Sequence, residues 1–115
     1  MTVLVTGGAG FIGSHLAEKL VSVGKTVRVV DNLSSGKKEN IPSGVQFQEA
    51  DFSEADLEGV DLIYHLAAKV SVPQSVEFPL EANEMNLEKT LLLLQRAVEA
   101  KVRRFLLASS SSVYG

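Results

Sequence analysis

The feature that most constrains the fold is a glycine-rich turn close to the N-terminus. It follows the apolar run from Val3 to Val5, and its glycines stand three residues apart at Gly7, Gly10 and Gly13. The first glycine lets the chain turn sharply off a strand, the second keeps side chains out of the turn, and the third allows close packing of a helix. This pattern predicts a strand, a turn and a helix, which together open a βαβ unit.

The residues after the turn fit a helix. Ile12, Leu16, Leu20 and Val23 recur at helical spacing and predict one apolar face, and Gly24 is placed to end the helix. The unpaired N–H groups at the start of this helix would face the turn, where a phosphate can bind. A glycine triplet alone also fits a tight turn in an unrelated α/β protein, so the prediction needs support from the next strand.

The next predicted strand ends in an acidic residue. The β-branched run from Thr26 to Val30 leads to Asp31, which stands 18 residues beyond the third glycine. In a dinucleotide-binding fold, an acidic residue at this place accepts hydrogen bonds from the adenosine ribose. A carboxylate would also repel the 2′-phosphate of NADP, so we expect NAD as the cofactor. Arg28, Lys37 and Lys38 are alternative phosphate ligands, although a solvent-facing strand position and a solvated loop explain them better.

The rest of the chain alternates strands and helices. This order predicts an α/β fold, a Rossmann-like parallel sheet with right-handed crossovers and strand order 3-2-1-4-5. A ligand would then lie across the carboxyl ends of the strands. The predicted elements are strands at Val45–Gln48, Asp61–Tyr64 and Phe105–Ala108, a short helical turn within Asp51–Gly59, and a long helix at Leu80–Ala100.

The long helix is apolar on more than one side. On a helical projection that starts at Leu87, residues Leu91, Leu94 and Val98 form one stripe, which we expect to pack on the sheet. Leu92 points nearly the opposite way. A second apolar side favours association with another copy of the chain, although single exposed leucines are also common on protein surfaces.

Composition excludes several functions. The chain has 115 residues with a net charge of −3, no cysteine and two histidines. Without cysteine it has no disulfide, catalytic thiol or thiolate metal site. No basic stripe with aromatic residues indicates nucleic-acid binding, and no apolar run approaches the roughly 20 residues that span a bilayer, so we expect a cytoplasmic protein. His15 and His65 lack clustered carboxylates, so we expect no metal site and a structural hydrogen bond at His65.

Several segments together carry a resemblance. They are the glycine turn from Thr6 to His15, the segments Asp31–Gly36 and His65–Ala68, Asn86, and the C-terminal run Ser109–Gly115. In this order they resemble the NAD-dependent epimerase/dehydratase family, which is the extended group of short-chain dehydrogenases/reductases. The likeness covers essentially the whole chain. Within that family, Asp31–Gly36 is most similar to the UDP-glucose 4-epimerases and related UDP-sugar epimerases.

The resemblance implies a role for each matching segment. The glycine turn would cradle the pyrophosphate of NAD, the residues after the second and third strands would hold the adenosine, and small residues after the fourth would pass under the cofactor. Ser110 matches the catalytic serine, whose hydroxyl would hydrogen-bond the substrate oxygen that becomes a carbonyl. The residues that would contact the cofactor are Gly7, Gly10, Phe11, Ile12, Gly13, Asp31, Asn32, Ser34, Ser35, Gly36, Asp51, Phe52, Leu66, Ala67, Ala68 and Asn86.

The implied activity is 4-epimerisation of a UDP-sugar, by hydride removal and return at C4, in a homodimer. The family's catalytic Tyr-x-x-x-Lys does not occur in these residues, since Tyr64 is followed by Ala68 and Tyr114 by Gly115 alone. We therefore expect residues 1–115 to be the N-terminal part of an NAD-binding Rossmann-like domain, without the substrate domain. A domain that binds NAD or self-associates without turnover, and part of a nucleotide-sugar 4,6-dehydratase, remain as alternatives.

One local departure from the family concerns the long helix. The family has glycine within Asn-x-x-Gly-Thr, whereas this chain has Lys89 in the sequence Asn86-Leu87-Glu88-Lys89-Thr90. A long charged side chain replaces a residue with none, so we expect the packing of this helix turn to differ, with the cofactor site retained.

Overall fold

In the computed structural model, residues 1–33, 36–66 and 79–107 are described, with residues 79–87 described by their helical backbone alone. Within these described residues there are two α-helices and five strands, and two short 3₁₀ turns precede and follow the third strand. The elements are β1 Thr2–Thr6, α1 Phe11–Ser22, β2 Thr26–Asp31, a first 3₁₀ turn Lys38–Asn40, β3 Gln46–Glu49, a second 3₁₀ turn Phe52–Glu54, β4 Leu62–His65, α2 Pro79–Glu99 and β5 Arg104–Leu107.

The five strands form one parallel sheet in the order β3-β2-β1-β4-β5, which confirms the predicted topology. β1 lies at the centre, where Val5 pairs with Val29 on one side and Tyr64 on the other. Thr6, the last residue of β1, lies opposite His65, the last residue of β4. The carboxyl ends of these strands therefore meet at one edge, the edge at which parallel α/β sheets bind ligands.

The sheet is buried on both faces because a helix packs on each. One cluster of buried residues lies on the face that α2 covers and includes Leu4, Ile63 and Leu93. The other lies on the face that α1 covers and includes Val5 and Ala17. Alternate residues of β1 thus point to opposite helices, as expected for a strand with two buried faces.

The predicted apolar face of α1 is wrong at both ends. Ile12 and Val23 are 71% and 54% exposed, and the two leucines between them are half-buried. The helix is instead buried through the small residues Gly13, Ser14 and Ala17. Small side chains let the helix axis approach the sheet closely, so the larger residues lie to the sides of the contact.

The predicted packing face of α2 is also wrong. Leu91, Leu94 and Val98 are exposed at 54%, 39% and 70%, whereas Leu93 and Ala97 are buried in the core. On the same side as Leu93 and Ala97, three polar residues of α2 have hydrogen-bond partners: Lys89 contacts Asp51, Thr90 contacts His65, and Arg96 contacts the second 3₁₀ turn. These contacts are compatible with the observed orientation of the helix and not with burial of the stripe of Leu91, Leu94 and Val98. Among the described residues, no helix is long and apolar enough to cross a membrane.

Candidate nucleotide-binding site

The glycine turn joins the carboxyl end of β1 to the start of α1. Gly7 adopts a positive φ of 74°, and its N–H donates to the Val30 carbonyl at 2.9 Å, which ties the turn to β2. The Gly10 N–H donates to the Gly7 carbonyl at 3.1 Å, and the Ser14 N–H donates to the Gly10 carbonyl at 2.9 Å. These bonds close the turn and start the helix, as the sequence predicts.

The glycines of the turn are required for different reasons. A Cβ on Gly8 would lie 2.4 Å from Val29 Cγ1, and one on Gly13 would lie 2.2 Å from the Gly7 carbonyl oxygen, so the protein's own packing excludes side chains there. Gly8 was not predicted to matter. A Cβ on Gly10 would have its nearest neighbour at 3.4 Å. Of these three positions, packing within the protein requires glycine least at Gly10, the glycine predicted to keep side chains out of the turn.

The N-terminus of α1 is suited to an anion. Its N-cap is Gly10, which has no side chain to cap the helix, and the first turn contains no acidic residue. Phe11 and Ile12, the first two helical residues, are 77% and 71% exposed. N–H groups of a first helical turn have no acceptor within the helix, so they and the helix dipole are available to a phosphate.

Asp31 lies beside the glycine turn. The residue is 8% exposed, and its Oδ2 accepts a hydrogen bond of 2.9 Å from the Ala9 N–H while its Oδ1 accepts one of 2.7 Å from the Leu33 N–H. An ionised carboxylate has about four acceptor positions, so two remain for the ribose hydroxyls. The sequence indicates the ribose role but not the second one, in which Asp31 holds the turn in place.

The segment after Asp31 folds back onto the same turn. A Cβ on Gly36 would lie 2.6 Å from the Ala9 carbonyl carbon, so only glycine fits this approach without a shift. Asn40, four residues later, also contacts the turn, although no sequence signal pointed to it. Asn32, the other predicted ribose contact, is exposed next to Asp31.

Asp51 begins the second 3₁₀ turn and caps it. Its Oδ1 accepts hydrogen bonds from the Ser53 N–H at 2.9 Å and the Ser53 hydroxyl at 2.7 Å. Its Oδ2 lies 2.8 Å from the Lys89 ammonium of α2. Burial acts to raise the pKa of Asp51, but the hydrogen bonds from Lys89 and Ser53 outweigh it and hold the pKa below its usual value. Lys89, the residue that departs from the family pattern, thus joins α2 to a predicted site residue.

The rest of this 3₁₀ turn is held against the core. The Phe52 side chain is 8% exposed, and its ring centroid lies 4.5 Å from that of His65. The guanidinium of Arg96 on α2 donates to the carbonyl oxygens of Ser53 at 2.6 Å and Ala55 at 2.7 Å. Since the Phe52 ring faces the core, a contact from Phe52 to adenine would have to come from its backbone.

His65 connects three elements beneath the site. It is fully buried, with Nδ1 2.7 Å from the Thr6 hydroxyl oxygen at the end of β1 and Nε2 3.1 Å from the Thr90 hydroxyl oxygen on α2. The Thr6 hydroxyl oxygen also accepts a 2.9 Å hydrogen bond from the Leu66 N–H. Burial lowers the pKa of His65 to about 4, so the imidazole is neutral at pH 7. This agrees with the interpretation of His65 as a structural hydrogen-bonding residue.

The structure brings the glycine turn, Asp31, Gly36 and Leu66 to the same edge of the sheet, with Asp51 beyond the end of β3. Asn86 lies on the helical backbone of α2, and its side chain is not described. Among the described residues, no group of three or more His, Asp or Glu side chains could hold a metal ion. The predicted residues that lie outside the described part of the chain are Ser34, Ser35, Ala67, Ala68 and Ser110.

Arg28 is engaged away from the turn. Its guanidinium donates to the carbonyl oxygens of Asp56 at 2.8 Å and Glu58 at 3.0 Å, and to the Gln46 side chain at 3.3 Å. It therefore ties β2 to the loop before β4, and the alternative role in phosphate binding loses its support.

Comparison with known proteins gives a consistent set of matches. The NAD dependent epimerase/dehydratase family matches residues 3–115. The UDP-glucose 4-epimerase of Azospirillum brasilense is 38% identical over 98% of this chain and 34% of its own length. UDP-glucuronic acid decarboxylase 2 of Arabidopsis thaliana is 45% identical over 100% of this chain and 27% of its own length.

Solved structures agree with these relatives. The UDP-glucose 4-epimerase of Thermotoga maritima, crystallised with UDP-glucose, superimposes with a TM-score of 0.90 at 40% identity, covering 100% of this chain and 40% of that one. The UDP-glucose 4-epimerase of Thermus thermophilus, in complex with NAD, superimposes with a TM-score of 0.83 at 44% identity, covering 96% of this chain and 38% of that one. The chain thus spans less than half the length of these proteins. The family match over almost every residue, together with the glycine turn and Asp31, shows that this chain belongs to the NAD dependent epimerase/dehydratase family.

Proposed function

We propose that this chain forms the NAD-binding part of a UDP-sugar 4-epimerase, an enzyme that inverts the configuration at C4 of a UDP-hexose. Bound NAD would supply a reversible hydride acceptor for that carbon. The UDP-glucose 4-epimerases named above support the choice of epimerase, as does the likeness of Asp31–Gly36 to UDP-sugar epimerases.

The observation that carries the proposal is the glycine turn with Asp31 bonded to it. The uncapped start of α1 offers N–H groups to a diphosphate, and Gly10 leaves room for it to approach the backbone. Beside it, the Asp31 carboxylate keeps two acceptor positions for the hydroxyls of an adenosine ribose. The same carboxylate would repel a 2′-phosphate, so the site favours NAD over NADP.

The catalytic part of the proposal rests on the resemblance. Ser110 would hydrogen-bond the substrate oxygen at C4. No Tyr-x-x-x-Lys occurs within the 115 residues, so this chain by itself would bind NAD without turnover. Decarboxylation of a UDP-sugar acid is a second candidate reaction, because a UDP-glucuronic acid decarboxylase shares this region of sequence. A 4,6-dehydratase remains an alternative because the matching family includes dehydratases.

We also propose a homodimer formed through α2. Leu91, Leu94 and Val98 form an exposed apolar stripe at helical spacing, and Leu92 is exposed on an adjoining side of the helix. An exposed apolar stripe is typical of a protein interface.

Calorimetric titration with NAD and NADP tests the cofactor site. We expect NAD to bind at least about tenfold more tightly than NADP, and Asp31→Ala to weaken NAD binding by about 1.5–3 kcal/mol. Asp31→Asn, which removes the charge and keeps the shape, should bring the two affinities closer together.

Asp61→Asn is the matched control, because Asp61 Oδ2 also accepts a backbone N–H, that of Thr2 at 2.9 Å, but at the opposite end of β1. It should leave the preference for NAD unchanged. Equal affinities of the unmodified chain for NAD and NADP would contradict the proposal.

A further inference from the structure

The Ala9 carbonyl in the glycine turn is bonded from outside the turn. Its oxygen accepts a hydrogen bond of 3.2 Å from the Lys37 N–H and one of 3.1 Å from the Asn40 side-chain amide. Asn40 is the last residue of the first 3₁₀ turn and lies 31 positions along the chain from Ala9. Both lone pairs of this carbonyl are therefore used by the segment that follows Asp31.

The other polar atom of the same peptide unit is bonded as well. The peptide that joins Ala9 to Gly10 carries the Gly10 N–H, which donates to the Gly7 carbonyl at 3.1 Å. On the far side of Ala9, the Ala9 N–H donates to Asp31 at 2.9 Å. Because the carbonyl and the N–H of the Ala9–Gly10 peptide both make hydrogen bonds, the peptide plane has a fixed orientation.

That orientation sets the direction of the first helical N–H groups. Gly10 is the N-cap of α1, and glycine alone allows a wide range of φ and ψ at this position. A rotation of the preceding peptide plane would therefore be passed to Phe11 N–H through Gly10, with no side chain to resist it. The bonds to the Ala9 carbonyl supply the restraint that Gly10 lacks.

We propose that Asn40 is a positioning residue for diphosphate binding. Its amide holds the Ala9–Gly10 peptide so that the N–H groups at the start of α1 converge on the two phosphates. The inference deepens the proposed function and rests on it. Asn40 is exposed, and without its amide the Ala9 carbonyl keeps the hydrogen bond from the Lys37 N–H, so the loss falls on geometry more than on folding.

The test compares ADP with AMP, which differ by one phosphate. We expect the unmodified chain to bind ADP more tightly than AMP, and the ratio of the two affinities to fall about fivefold in Asn40→Leu, which has nearly the same shape and no donor. Asn40→Ala should lower the ratio in the same way, and it replaces Asn40→Leu in the test if the leucine variant folds poorly. If a variant is partly unfolded, its apparent affinities for ADP and AMP fall by the same factor. The ratio of the two affinities therefore reports on phosphate binding alone.

Gln46→Ala is the control, because it removes a side-chain amide that contacts Arg28 away from the turn, and it should leave the ratio unchanged. A ratio that stays constant in both Asn40 variants would overturn the role of Asn40 and leave the proposed function intact. An unmodified chain that binds neither ADP nor NAD would overturn both. A shift of the Phe11 amide resonance in nucleotide-free Asn40→Leu supports the inference, and an unshifted one contradicts it.

Discussion

The buried histidine makes the stability of this chain depend on pH. His65 is fully buried between Thr6 and Thr90, with the rings of Phe52 and Phe105 centred 4.5 and 5.7 Å from its own. Burial lowers its pKa from 6.5 to about 4 in the folded protein. The unfolded chain therefore binds a proton on this histidine at a higher pH than the folded chain does.

The sign and size of the effect follow from the two pKa values. About one pH unit or more above 6.5 the imidazole is neutral in both states, and its contribution to stability is complete. As the pH falls from 6.5 to about 4 only the unfolded state gains the proton, so the free energy of unfolding decreases by about 1.4 kcal/mol per pH unit. Between pH 7.5 and 5 the loss amounts to about 2 kcal/mol. Below pH 4 both states are protonated and this contribution stops changing.

Urea denaturation at pH 7.5 and pH 5 measures the loss. The chain's other histidine, His15, provides the control, because it is exposed on α1 and its Nδ1–H donates to the Phe11 carbonyl at 2.7 Å. His15→Gln should keep the difference of about 2 kcal/mol, whereas His65→Gln should remove most of it. His65→Gln will also lower stability at pH 7.5, since it loses the ring contacts.

An NMR titration of the His65 ring provides a second measurement that needs no variant. We expect its midpoint near pH 4. A midpoint close to 6.5, or a pH dependence that survives in His65→Gln and disappears in His15→Gln, would refute the reasoning.

Three further predictions concern turnover, association and the packing of the glycine turn. The isolated chain should not interconvert UDP-glucose and UDP-galactose, because a general base contributes about 10²–10⁴-fold and no Tyr-x-x-x-Lys is present; turnover that disappears in Ser110→Ala would contradict this. Light scattering at micromolar concentration should show a dimer that Leu92→Glu shifts toward monomer, since Leu92 is 47% exposed; a monomeric unmodified chain would argue against the interface. Gly8→Ala should destabilise the fold by about 1–3 kcal/mol in chemical denaturation, because its Cβ would lie 2.4 Å from Val29 Cγ1. In the double variant with Val29→Ala, the loss of stability should be smaller than the sum of the losses in the two single variants. A loss equal to that sum would disprove the clash.

The sequence predicted the parts of the site that are local. The glycine turn and Asp31 lie at the ends of two successive strands, β1 and β2, so a pattern within one βαβ unit is enough to place them. The order of the five strands also followed from the alternation of strand and helix, because parallel crossovers leave few topologies.

The features of the site that the sequence analysis missed are contacts between residues far apart in the chain. The ion pair of Lys89 with Asp51 and the bond of Asn40 to Ala9 join positions 38 and 31 residues apart. Hydrophobic periodicity contains no information about such pairs. For α2, periodicity predicted that the stripe of Leu91, Leu94 and Val98 packs on the sheet, whereas the structure leaves all three residues exposed.

The contacts of α2 determine which way round the helix sits. If α2 turned by half a revolution to bury Leu91, Leu94 and Val98, Lys89 and Arg96 would move to solvent, and the carbonyl oxygens of Ser53 and Ala55 would lose their donors. Thr90 would also leave His65. These polar contacts, together with the buried Leu93 and Ala97, thus favour the rotational state that the structure shows. In that state Leu91, Leu94 and Val98 stay exposed, on the side of α2 where the proposed homodimer would form.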